Sequence, residues 1–134
     1  MRVDCMRRSR FIAAHACSYG LILFEKFLPT LRDLVKRYPN FYADISALTL
    51  PNRFRMLLHL RNYPEVHERL LFGTDYPLSV FHIAAWGRVA FGTLRKMMQT
   101  KNRFDRQVEV CNGLKLGFRS LGDLLPHSTS HSTR

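Results

Sequence analysis

The sequence predicts an α/β fold built on a parallel sheet, and three features of the 134-residue chain carry that expectation. Short apolar runs recur as candidate strands at residues 11–14, 41–48 and 70–72. Single helical stretches separate them, at residues 28–38 and 53–61. The runs are largely apolar, as parallel strands covered on both faces are. Strands alternating with single helices form right-handed βαβ units.

The elements follow in order. Residues 11–14 lead into His15, and the small residues from Ala16 to Gly20 read as a loop. From Phe24 the apolar positions Phe27, Leu28, Leu31, Leu34, Val35 and Tyr38 fall three and four apart. Pro29 fits only a first turn, so the helix begins near Leu28, and Pro39 stops it. Residues 41–48 alternate polar Asp44 and Ser46 with apolar neighbours, a strand pattern. Phe54, Leu57, Leu58 and Leu60 form the apolar stripe of the next helix. Leu70, Leu71 and Phe72 make the third strand, and Gly73, Asp75 and Pro77 follow it. Residues 93–99 and 107–116 are further helical stretches, with Gly117 placed to cap the second.

Composition bounds the function classes. A hydrophobic fraction of 46% suits a packed domain. No apolar run approaches the roughly 18 residues that a spanning helix needs, so no membrane partner is expected. Cys5, Cys17 and Cys111 are odd in number and widely spaced, which fits a reducing cytoplasm rather than a disulfide framework. The net charge of +11 comes from 21 Lys and Arg against 10 Asp and Glu. Such a balance can serve nucleic acid or an acidic partner. The basic residues are spread over several elements, however, and are read as solvated helix faces rather than a nucleic-acid site.

Two strand ends carry the candidate chemistry. His15 closes the first strand and Asp75 the third. In a parallel sheet all carboxyl ends share one edge, so the two side chains converge there. An imidazole and a carboxylate can together hold a divalent metal or polarise a water. A hydrogen-bonded structural histidine is the competing reading.

Three segments carry a family resemblance. They are Phe11-Ile12-Ala13-Ala14-His15-Ala16, Tyr38-Pro39-Asn40-Phe41-Tyr42-Ala43-Asp44-Ile45-Ser46 and Leu70-Leu71-Phe72-Gly73-Thr74-Asp75-Tyr76-Pro77. In this order they resemble the last three strands of the amidohydrolase-related, metal-dependent hydrolases, which are TIM barrels. Asn102-Arg103-Phe104-Asp105-Arg106 resembles a further element of some members, with Arg103 in place of a proline. The resemblance implies a partial (β/α)8 barrel, roughly strands six to eight with their helices and a C-terminal helical extension. It makes Asp75 a metal ligand and proton acceptor, and His15 a metal ligand or an orienting group for water and substrate. It implies a small-molecule substrate and a divalent metal, zinc in the full-length family.

The first-strand His-x-His pair of that family does not occur here; His59, His67, His127 and His131 are dispersed. A whole barrel needs about 250 residues. The chain is therefore expected to be a C-terminal fragment, inactive alone and without tightly bound metal. Residues 1–10 are read as a basic lead, 11–118 as the barrel portion and 119–134 as a polar, disordered tail. Open barrel edges are expected to invite self-association. The alternatives are a basic, non-catalytic binding module, or a small enzyme that completes its site by oligomerising.

Overall fold

The computed structural model describes residues 9–18 and 27–124. The basic lead up to residue 8, the apolar stretch 19–24 and the tail from residue 125 lie outside them. The elements are β1 (Phe11–Ala13), α1 (Leu28–Arg37), β2 (Phe41–Asp44), α2 (Phe54–Leu60), β3 (Leu70–Leu71), α3 (Phe91–Gln99) and α4 (Arg103–Gly113). The three strands form one parallel sheet in the order β1-β2-β3. The α/β reading and the strand–helix alternation therefore hold.

One face of the sheet packs on the helices. Leu28, Leu31 and Val35 of α1, Met56, Leu57 and Leu60 of α2, and Val110 and Cys111 of α4 join Ala43 and Leu70 in the main core. α1 buries these positions because they fall three and four apart, and Pro29 sits in its first turn as expected. Arg32 ties α1 to the turn at Pro64–Arg69, since its guanidinium donates to Glu65 Oε1 at 2.8 and 3.1 Å and lies over the Tyr63 ring.

Three regions differ most from expectation. β2 ends at Asp44 instead of continuing to Leu48, because Asp44 Oδ1 accepts from the Ser46 N–H and turns the chain. α4 runs from Arg103 to Gly113 instead of over 107–116, and Lys115 rather than Gly117 takes a left-handed φ of 58°. Gly117 instead permits a close approach, since a Cβ there would lie 3.1 Å from His67 Cβ. Its N–H donates to His67 Nδ1 at 3.1 Å, while His67 Nε2 donates to the Leu60 carbonyl at 3.0 Å.

The third difference concerns residues 119–124, placed with the polar tail by composition. Arg119 pairs in parallel with Leu71, through Phe72 N to Arg119 O and Arg119 N to Leu70 O, both 2.8 Å. A 3-10 turn at Leu121–Leu124 follows, and Leu124 packs with Tyr42 and Leu71 on the face of the sheet away from the main core. The expectation of two bare edges is thus corrected: Arg119 covers the β3 edge. At β1, Phe11 and Ile12 remain 45% and 46% exposed.

Burial also fixes the thiols. Cys111 is fully enclosed, and desolvation pushes its pKa up to about 12. Half-buried Cys17 is raised for the same reason. Thiolates are the reactive form. Iodoacetamide at about pH 8, near the ordinary thiol value, is expected to leave Cys111 unmodified in the folded chain and to label it once urea unfolds the protein. Peptide mass mapping reads this out, and rapid native labelling of Cys111 would contradict the packing.

Candidate functional site

The candidate site lies where the three strands end. β1 delivers His15 through a short 3-10 turn at Ala14–Cys17, β2 ends on Asp44, and Asp75 follows β3. Because the strands are parallel, all three arrive at one edge of the sheet.

Asp44 organises this edge. Its Oδ1 accepts from the N–H groups of His15 at 3.1 Å and Ser46 at 3.0 Å, and from the Ser46 hydroxyl. His15, Ala16 and Cys17 take φ values of 53°, 50° and 61°. Left-handed backbone costs roughly 1–2 kcal/mol per non-glycine residue. The carboxylate and the complete burial of Ala16 offset that cost.

Ser46 orients the His15 ring. Nδ1 lies 3.1 Å from the Ser46 carbonyl oxygen and 2.9 Å from Ser46 Oγ. A carbonyl can only accept, so Nδ1 is the donor. The Ser46 hydroxyl gives its own hydrogen to Asp44 and accepts from the ring. The partners thereby assign the tautomer. In the neutral ring, Nε2 presents its lone pair, and it faces Asp75 Oδ2 at 3.7 Å. A lone pair opposite a carboxylate is two acceptors face to face. A proton or a cation between them resolves that conflict.

Two further residues close the edge. A Cβ at Gly73 would stand 3.2 Å from Ser46 Cβ and 3.6 Å from Asp44 Cβ, so glycine lets the end of β3 approach β2. Gln107 of α4 is almost fully buried, and its Nε2 donates to the carbonyls of Ile45 at 3.3 Å and Gly73 at 2.6 Å. It braces both strand ends from behind. Ile12, Asp44, Ser46, Asp75 and Leu121 border an open groove of about 290 Å³ beside the pair.

At 3.7 Å, His15 Nε2 and Asp75 Oδ2 are too far apart to share a proton directly and leave room for a cation or a water between them, but the donor set does not suit tight zinc. Zinc takes three or four protein ligands. Among the described residues no group of three or more His, Cys, Asp or Glu can hold a metal. The described residues therefore do not make a zinc site by themselves.

The structure brings the two sequence-predicted residues, His15 and Asp75, to one place. Cys17 lies nearby and is half-buried. His82 and Trp86 stack loosely, 6.2 Å between centroids, and neither borders the groove. Trp86 is 57% exposed. The sequence reading missed the organising parts of Asp44 and Ser46, although Asp-x-Ser at a strand end is an Asx-turn signal. It missed Gln107 altogether, because nothing local marks a glutamine that reaches strands 34 and 62 residues away.

The fold and the site together define an α/β chain with a His–Asp pair at the carboxyl edge of a parallel sheet. No family model, curated protein or solved structure matches it.

Proposed function

We propose that the chain is the C-terminal part of an amidohydrolase-like, metal-dependent hydrolase acting on a small-molecule substrate, with strands six to eight of a (β/α)8 barrel in β1, β2 and β3. One observation supports this most: His15 and Asp75, two strands apart in sequence, meet at 3.7 Å across the end of the strand between them. In that reading Nε2 of His15 and the Asp75 carboxylate would supply two of the donors to a divalent metal, whose chemistry would be to acidify a water. Asp75 would accept the proton of that water and His15 would orient it. Asp44 and Ser46 hold the imidazole in the tautomer that leaves Nε2 free. Two donors are too few for tight zinc, so the chain alone would not turn over substrate.

Zinc titration followed by NMR of the His15 ring tests this. Weak, saturable shifts on the Nε2 side of the ring are expected, with smaller shifts for Asp75→Asn. Absence of any His15 shift at saturating zinc would overturn the metal-ligand reading. Tight stoichiometric binding would overturn the reading of an incomplete site.

A further inference from the structure

A second cleft, of about 430 Å³, lies along α2, and its apolar wall, Phe54 and Leu58, borders the main core. Its volume falls within the range of small-ligand pockets, roughly 300–1,000 Å³. Arg55 and Arg61 enter it from α2 and the residue after it, and Arg88 from the loop beyond the 3-10 turn at Ile83–Ala85. That turn packs against α2, which brings Arg88 to the helix. His59 and Asn62 add polar groups, and Phe54 and Leu58 supply an apolar wall.

The charge in this cleft is uncompensated. Among the described residues no carboxylate lines it. Among them, too, the Lys and Arg ion pairs are Arg32–Glu65, Arg37–Asp33 and Lys96–Glu109, and none involves Arg55, Arg61 or Arg88. Arg88 gives one hydrogen bond, to the Trp86 carbonyl at 3.1 Å, and keeps its remaining donors. The neighbouring cleft, which Arg88 also borders, does hold a carboxylate, but that one is paired with Lys96 at 2.7 Å. Three guanidiniums gathered without a counter-charge repel one another. An anion that accepts from several of them at once relieves that repulsion.

We infer that this cleft binds a phosphate monoester of a small organic molecule. Guanidinium forks match phosphate oxygens in pairs, which lysine cannot do. Phe54 and Leu58 offer apolar surface for the body of the ester. The concave shape and its single cationic cluster fit one phosphoryl group rather than the evenly spaced phosphates of a nucleic-acid strand. The helix dipole gives little net help, because Arg55 stands in the first turn of α2 but Arg61 lies just past its carboxyl end, where the dipole opposes anions. The side chains carry the attraction. This inference does not depend on the role proposed for His15 and Asp75.

Titrations of the full chain with inorganic phosphate, phenyl phosphate and a short single-stranded DNA, at constant ionic strength, test it. NMR of the arginine Nε–H groups and the Phe54 ring reads binding. Phenyl phosphate is expected to saturate at one per chain, more tightly than inorganic phosphate, and to shift Phe54. Arg55→Gln combined with Arg61→Gln is expected to weaken it by about tenfold or more, the loss of one good charged contact. Arg95→Gln, an exposed arginine outside the cleft, is the control and is expected to leave binding unchanged. Arg55→Lys separates fork recognition from simple charge, and retained affinity in that variant would remove the bidentate argument. No saturable shift, or equal loss in the control and the double variant, would overturn the site. Tighter binding of DNA than of phenyl phosphate would replace it with a nucleic-acid surface.

Discussion

Asp44→Ala is expected to destabilise the fold by about 2–4 kcal/mol, because it removes an acceptor that three donors share. The N–H groups of His15 and Ser46 and the Ser46 hydroxyl all end on Asp44 Oδ1. Without it, the three successive left-handed residues at 15–17 keep only the Ser18 N–H to His15 carbonyl bond, at 2.8 Å, and the burial of Ala16. The Ser46 hydroxyl then loses its acceptor, while the Ser46 carbonyl still takes the Nδ1 hydrogen, so the ring keeps its tautomer but is held less firmly. Asp44→Asn keeps a carbonyl oxygen but loses the charge, so an intermediate loss is expected. Urea unfolding gives the stability, and the His15 ring nitrogen shifts give the tautomer. If Asp44→Ala stays within about 0.5 kcal/mol of the parent, the range of an ordinary surface change, the carboxylate does not organise this edge.

Gln107→Leu is expected to cost somewhat less, about 1–3 kcal/mol, by a different route, because it orphans the Gly73 carbonyl while the Ile45 carbonyl keeps the Leu48 N–H at 3.4 Å. Leucine fills much of the space but leaves the carbonyls of Ile45 and Gly73 without their side-chain donor. Gln107→Glu should be worse at neutral pH, since a buried carboxylate would face two carbonyl oxygens. Acidification is expected to restore part of that loss, because a protonated carboxyl can donate to one of them. Urea midpoints for both variants at neutral and acid pH check the sign. A Gln107→Leu protein as stable as the parent would show that the strand ends stand without the α4 brace. Loss of stability with no change in the His15 ring signals would show that the brace serves the fold and not the site.

These two residues also mark where the sequence stopped being legible. α1 was readable because its stripe of Leu28, Leu31 and Val35 records burial at helical spacing. The parallel order of the strands followed from single helices between short apolar runs. His15 and Asp75 could be paired from topology alone, since both end strands of one parallel sheet. The end of β2 was not readable from apolar content, because Ile45 and Leu48 are as buried as strand residues while the backbone has already turned. Gly117 was misassigned as a helix cap because a glycine required for close packing looks, in sequence, like one required for a left-handed turn. Gln107 carried no signal, since its partners are created only by the tertiary fold.

The pairing of Arg119 with β3 has a consequence for how this sheet can grow. A strand that is to continue the sheet beyond β3 meets an edge already filled. It must break the two 2.8 Å hydrogen bonds to Arg119 and displace the residues that lead to Leu124 on Tyr42. Extension there is an exchange reaction, with an energy to recover before anything is gained. No described strand pairs along the other side of β1, so extension there is simple addition. The sheet is directional in its appetite for further strands, and residues 118–124 act as its stopper at one end.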